Sequence, residues 1–154
     1  MSSNGNPLEA LYREVILQHS QHPRNRGMLA DAGAAVRLNN PSCGDRIELF
    51  LKVSPDQRVE EVRFEGRGCS ISQASASMMT ERVRGLSLDE ALGLAERFRQ
   101  MVRGDAEAAQ DERLGDLVAL QGVSRFPVRV KCAVLAWEAL ERSIDQVRHG
   151  GDPS

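Results

Sequence analysis

From residue 36 to residue 65 the apolar side chains recur at alternate positions, and on either side of that window they recur every third or fourth. Ile47, Leu49, Leu51 and Val53 alternate with Glu48, Phe50 and Lys52, which predicts a strand with one buried face. Val36-Arg37-Leu38-Asn39 begins the strand region before it. Ser54-Pro55-Asp56-Gln57 is turn chemistry, and Val59 to Glu65 returns as an antiparallel partner. The imperfect alternation of that return predicts a bulge, and Gly66 and Gly68 are expected to break its ladder.

Helical spacing governs the rest. Leu8, Leu11, Tyr12, Val15 and Ile16 form an amphipathic stripe opened by Pro7 and stopped before Pro23. Ser70-Ile71-Ser72-Gln73 fits a capping box, followed by the stripe Ile71, Ala74, Ser75, Met78 and Met79, with Gly85 as the stop. Ser87-Leu88-Asp89-Glu90 is a second capping box, ahead of Leu88, Ala91, Leu92, Ala95, Met101 and Val102. A minor helix is expected around Leu114, Leu117 and Val118. The last helix carries Cys132, Leu135, Ala136, Ala139, Leu140, Ile144 and Val147 on one face; Trp137 falls off that face and is expected to be partly exposed. A helix, then strands, then helices is the order of an α+β fold: a small antiparallel three-stranded sheet covered by helices. The 154 residues suit one domain, 1–154, with 1–6 and 149–154 as polar flexible tails.

Composition excludes several classes. A net charge of −2 without a basic stripe argues against nucleic-acid binding, and no apolar run is long enough for a membrane span. The N-terminus carries no export pattern, and three cysteines cannot make a closed disulfide framework, so a reducing cytoplasm is expected.

Those cysteines, Cys43, Cys69 and Cys132, each fall at a chain reversal or an element boundary. Cys43 and Asp45 flank Gly44; in extended backbone the two side chains point to one side, although Asp45 is equally suited to cap a turn. Cys69 precedes Ser70, the expected N-cap, where a helix dipole favours thiolate; a plain buried cysteine in a glycine turn is the other reading. Cys132 lies on an apolar stripe, which suits a core residue, but also in a first helical turn beside Lys131 and Arg129. Three thiols and one carboxylate are enough to surround a tetrahedral metal ion, and the same thiols are able to carry sulfur. The intervals are long and contain no C-x-x-C pair, so spacing alone identifies no zinc motif. His19, His22 and His149 are not assigned to the site, and Met78-Met79 reads as core filling.

Together these segments resemble the IscU-like proteins of iron–sulfur cluster assembly. The resemblance rests on Leu11-Tyr12-Arg13, His22-Pro23-Arg24-Asn25-Arg26-Gly27, Asn40-Pro41-Ser42-Cys43-Gly44-Asp45, the run from Phe64 to Ser77, and Arg125-Phe126-Pro127-Val128-Arg129-Val130-Lys131-Cys132. Within that family the chain is similar to the SufU type. It has Lys131 where the scaffold type has histidine, an extra stretch from Leu88 to Gly122, and Arg125-Phe126-Pro127-Val128-Arg129 in place of Leu-Pro-Pro-Val-Lys. The resemblance implies one zinc held by Cys43, Asp45, Cys69 and Cys132, and a pyridoxal-phosphate cysteine desulfurase of the SufS type as partner, with SUF cluster-assembly proteins downstream. It implies a zinc-dependent sulfurtransferase in which Cys43 accepts persulfide sulfur, and Arg129 is placed to steady the thiolate. The alternative within the family is a scaffold for a [2Fe–2S] cluster on the same residues.

Overall fold

The computed structural model describes residues 7–41 and 44–149, with Pro7 and Leu8 as backbone only. Helix α1 spans Pro7–Gln21, strands β1, β2 and β3 span Ala34–Asn40, Asp45–Val53 and Val59–Arg67, and helix α2 spans Ser70–Val83. Helix α3 spans Leu88–Val102, two 3₁₀ segments follow at Ala108–Gln110 and Glu112–Arg125, and helix α4 spans Pro127–Arg148. Of the expected tails, 1–6 and 149–154, all but His149 lie outside the described residues. No described helix is long and apolar enough to cross a membrane.

The sheet is antiparallel in the order β1-β2-β3. Ile47, Leu49 and Leu51 are buried on its inner face, as alternation predicts. Phe50, on the opposite face, is also buried, flanked across the strands by Ala35 and Arg63. The expected bulge is present: Lys52 faces Glu61 but Val53 faces Val59, which leaves Glu60 as the extra residue. The glycines after it do not break the ladder. Gly66 still pairs with Ile47, and Arg67 with Arg46.

Helix α4 lies against β1 and β2, and α2 touches β3, α1, α4 and the long 3₁₀ segment. Surrounded in this way, α2 is buried on more faces than a single stripe, including Ser72, Ser75, Ser77 and Thr80. Each buried hydroxyl has a partner, as burial demands. Ser75 Oγ donates to the Ala133 carbonyl at 2.6 Å, and Thr80 Oγ donates to the Ser77 carbonyl at 2.7 Å.

Trp137 departs from the expectation of partial exposure. It is fully buried and stacks on Phe98 with ring centroids 5.0 Å apart. Helix α4 meets the sheet on one side and α3 on another, so a residue off the sheet-facing stripe still lands in the core. The predicted capping box of α3 forms: Glu90 N–H donates to Ser87 Oγ at 3.1 Å and Ser87 N–H to Glu90 Oε1 at 2.9 Å.

His19 ties α1 to α2. It is 4% exposed, and its Nδ1 lies 2.7 Å from Ser77 Oγ. Ser77 Oγ also accepts the Arg24 N–H at 2.9 Å, leaving its own proton for Nδ1. Burial lowers the His19 pKa, Arg24 adds to the effect, and Glu81 and Asp116 oppose it. The folded chain thus binds this proton less readily than the unfolded chain does. The contribution is complete above the unfolded value of about 6.5 and is lost as pH falls through the lower folded value. Urea midpoints measured from pH 7.5 down to 5 should decline in this range, and His19→Gln should flatten that decline; an equal slope in the variant would contradict it.

Candidate metal centre

Asp45 is the first residue of β2 and shares the inner face with Ile47 and Leu49. It is 2% exposed, and its Oδ1 accepts the Cys69 backbone N–H at 3.0 Å. Its Oδ2 lies 3.9 Å from Cys69 Sγ.

Cys69, and not Ser70, is the N-cap of α2, with φ −71° and ψ 172° and no side-chain capping bond. The capping box expected from Ser70 and Gln73 does not form, because Gln73 Oε1 instead accepts Arg26 Nη1 at 3.1 Å. The cap position leaves the Cys69 thiol exposed beside the Asp45 carboxylate. It also places that thiol at the N-terminal end of α2.

Cys132 stands near the start of α4 and is buried. The bond from Ser75 to the Ala133 carbonyl fixes this turn of α4 against α2. The two readings of Cys132, core residue and ligand, are therefore compatible. The Asp45 carboxylate oxygen and the two sulfurs all lie within 4.8 Å of one another.

Two glycines let the strands come this close. A Cβ on Gly66, at φ +139°, would stand 2.1 Å from the Arg46 carbonyl oxygen. One on Gly68 would stand 2.3 Å from Ser72 Oγ and 2.4 Å from Asp45 Oδ1. The Gly66-Arg67-Gly68 run, expected to end the ladder, instead lets β3 lie flush against β2 and leaves room for the carboxylate.

Cys43, the predicted sulfur acceptor and fourth ligand, lies outside the described residues. Gly44 has φ +75°, a conformation that suits glycine. Its N–H donates to the Asn40 carbonyl at 2.8 Å.

Arg129 is exposed, with its guanidinium 4.8 Å above the Phe126 ring. It lines a groove of about 560 Å³ with Tyr12, Ile16, Ser70, Ile71 and Arg125. None of the three histidines belongs to the group formed by Asp45, Cys69 and Cys132.

Comparison with known proteins matches residues 11–133 to the family described as the NifU-like N-terminal domain. The chain belongs to that family. Among its relatives, the zinc-dependent sulfurtransferase SufU of Bacillus subtilis is 49% identical over 97% of this chain and 99% of its own length. The iron–sulfur cluster assembly scaffold protein IscU of Streptococcus pyogenes is 49% identical over 89% of this chain and 84% of its own. The crystal structure of the SUF-system protein FiSufU from Fervidobacterium islandicum superposes with a TM-score of 0.79 at 32% identity, covering 88% of this chain and 98% of that one. This family membership and the three-stranded sheet agree with the resemblance drawn from the motifs.

Proposed function

We propose that this chain is a zinc-dependent sulfurtransferase that takes persulfide sulfur from a SufS-type cysteine desulfurase and passes it on for iron–sulfur cluster assembly. The observation that carries this reading is the meeting of Asp45, Cys69 and Cys132 within 4.8 Å, from three separate elements.

The donor set fits zinc. Tetrahedral zinc with sulfur and oxygen ligands spaces neighbouring donors about 3.5–4 Å apart, close to the separation here. Two thiols and a carboxylate supply three positions, and Cys43, two residues before Asp45, is the fourth. Zinc bound there would keep its cysteines as thiolates at neutral pH.

The protein's own residues do the rest. The bond from Cys69 N–H holds the Asp45 carboxylate in place, and Gly68 leaves it room. Arg129, at the start of α4, offsets the negative charge of the thiolates and steadies the one that reacts. The Cys43 thiolate attacks the outer sulfur of the desulfurase persulfide. A new S–S bond forms on Cys43 as the old one breaks, and the electron pair leaves on the desulfurase cysteine, which then takes a proton. No external oxidant or reductant enters the balance.

Incubation with desulfurase and cysteine should add one sulfur atom to Cys43, seen by intact-mass and peptide analysis, and anaerobically purified protein should contain zinc. A chain that stays unmodified would overturn the reading. The S. pyogenes relative is named a scaffold protein. Cysteine and aspartate serve iron as well as zinc, so iron and acid-labile sulfide in the purified protein would favour that role instead.

A further inference from the structure

The outer face of the sheet carries a cluster of arginines that the chemistry above does not use. Arg46 and Arg67 are directly opposite each other on β2 and β3. Both are exposed, and among the described residues neither makes an ion pair. Like charges facing each other across two strands destabilise the isolated sheet.

Two more guanidiniums border them. Arg26 is fixed at the edge of β3, donating to the Gly66 carbonyl at 2.7 Å and to Gln73 Oε1 at 3.1 Å. Arg37 on β1 lies 3.4 Å from Glu48. These four arginines, with Glu48, Glu65 and Gly66, line an open concavity of about 500 Å³. Four positive groups against two negative ones make a basic patch on a chain whose overall charge is −2.

Its position is informative. Arg46 follows Asp45 directly, and Arg67 precedes Cys69 by two residues. The patch therefore occupies the same end of the sheet as the candidate centre, on the opposite face. Unpaired exposed arginines suit carboxylates on a partner protein, where they speed encounter and fix orientation.

Resting on the function proposed above, we infer that the Arg46–Arg67 face is the anchor for an acidic surface strip of the cysteine desulfurase, which holds the partner while its persulfide reaches Cys43. The anchor and the reacting group are separate. Removing the arginines should weaken docking without altering the chemistry at saturation.

The test uses full-length, zinc-loaded chain and measures desulfurase turnover against its concentration, alongside direct binding titrations. The double variant Arg46→Glu/Arg67→Glu should raise the half-saturating concentration roughly tenfold or more at low salt. The gap should narrow at high salt, and the plateau rate and zinc content should stay at wild-type values. The single variant Arg67→Glu replaces a like-charge pair by an opposite pair. It should weaken docking while raising the thermal midpoint of the isolated protein, which a purely structural role would not do. An unchanged half-saturating concentration and unchanged binding in the double variant would overturn the docking assignment, as would a lost plateau at unchanged half-saturation. Wild-type chain that binds desulfurase through these arginines without stimulating it would instead sink the proposed function and leave the anchor standing.

Discussion

Replacing Cys43 by alanine should return desulfurase turnover to the rate of the desulfurase alone. A thiol that accepts sulfur cannot be replaced by a methyl group, because no other atom at that position is able to form the new S–S bond. The fold should survive. The buried core is built from the sheet, α2, α3 and α4, and Cys43 belongs to none of these elements in the sequence. Asp45, Cys69 and Cys132 would remain to hold zinc, with one ligand fewer and weaker affinity. Circular dichroism, zinc content and the stimulation assay on one preparation separate these effects. Stimulation that persists in a folded Cys43→Ala protein would remove Cys43 from the acceptor role and shift attention to the exposed thiol of Cys69.

The second large effect is expected at a residue with no functional group. Gly68→Ala should weaken zinc binding at the centre. The new Cβ would lie 2.4 Å from Asp45 Oδ1 and 2.8 Å from its Cγ, closer than non-bonded atoms tolerate. Asp45 is buried, so its carboxylate has little room to retreat, and any retreat breaks its bond to the Cys69 N–H. Loss of that bond should cost about 1–3 kcal/mol of stability in the metal-free protein. Misplacing a ligand should cost roughly 10–100-fold or more in zinc affinity. Chelator competition measures the affinity, and urea unfolding of the metal-free chain measures the stability. Gly93→Ala is the control, because a Cβ there meets nothing within 4 Å and α3 gains a better helix former. If Gly68→Ala binds zinc as tightly as Gly93→Ala, Gly68 has no part in shaping the centre.

Local chemistry is legible in the amino-acid order itself. Alternation marks the inner face of β2, Pro7 and Pro23 bracket α1, and Ser87 and Glu90 mark the start of α3. These features depend on residues within a few positions of one another, where backbone propensity and side-chain caps decide the outcome. The glycines at 66 and 68 stand out as special, but their role does not show in the sequence. Only the neighbouring strand shows that the space a side chain would need is already filled by Arg46 and Asp45.

The helix cap at Cys69 and the burial of Trp137 illustrate the same limit. Gln73 is suitably spaced for a capping box but is taken by Arg26, which is remote in the chain. Trp137 is off the stripe that faces the sheet, but α3 covers α4 from another direction.

The α+β order of elements and the identity of the donor atoms can be read from the chain order, because both are written in short-range pattern and residue type. That Asp45, Cys69 and Cys132 meet within 4.8 Å, and that Arg46 faces Arg67, emerges only when the elements pack. Such distances depend on strand register and on how α2 and α4 seat against the sheet. Those are set by many weak contacts between distant segments and leave no mark in local spacing.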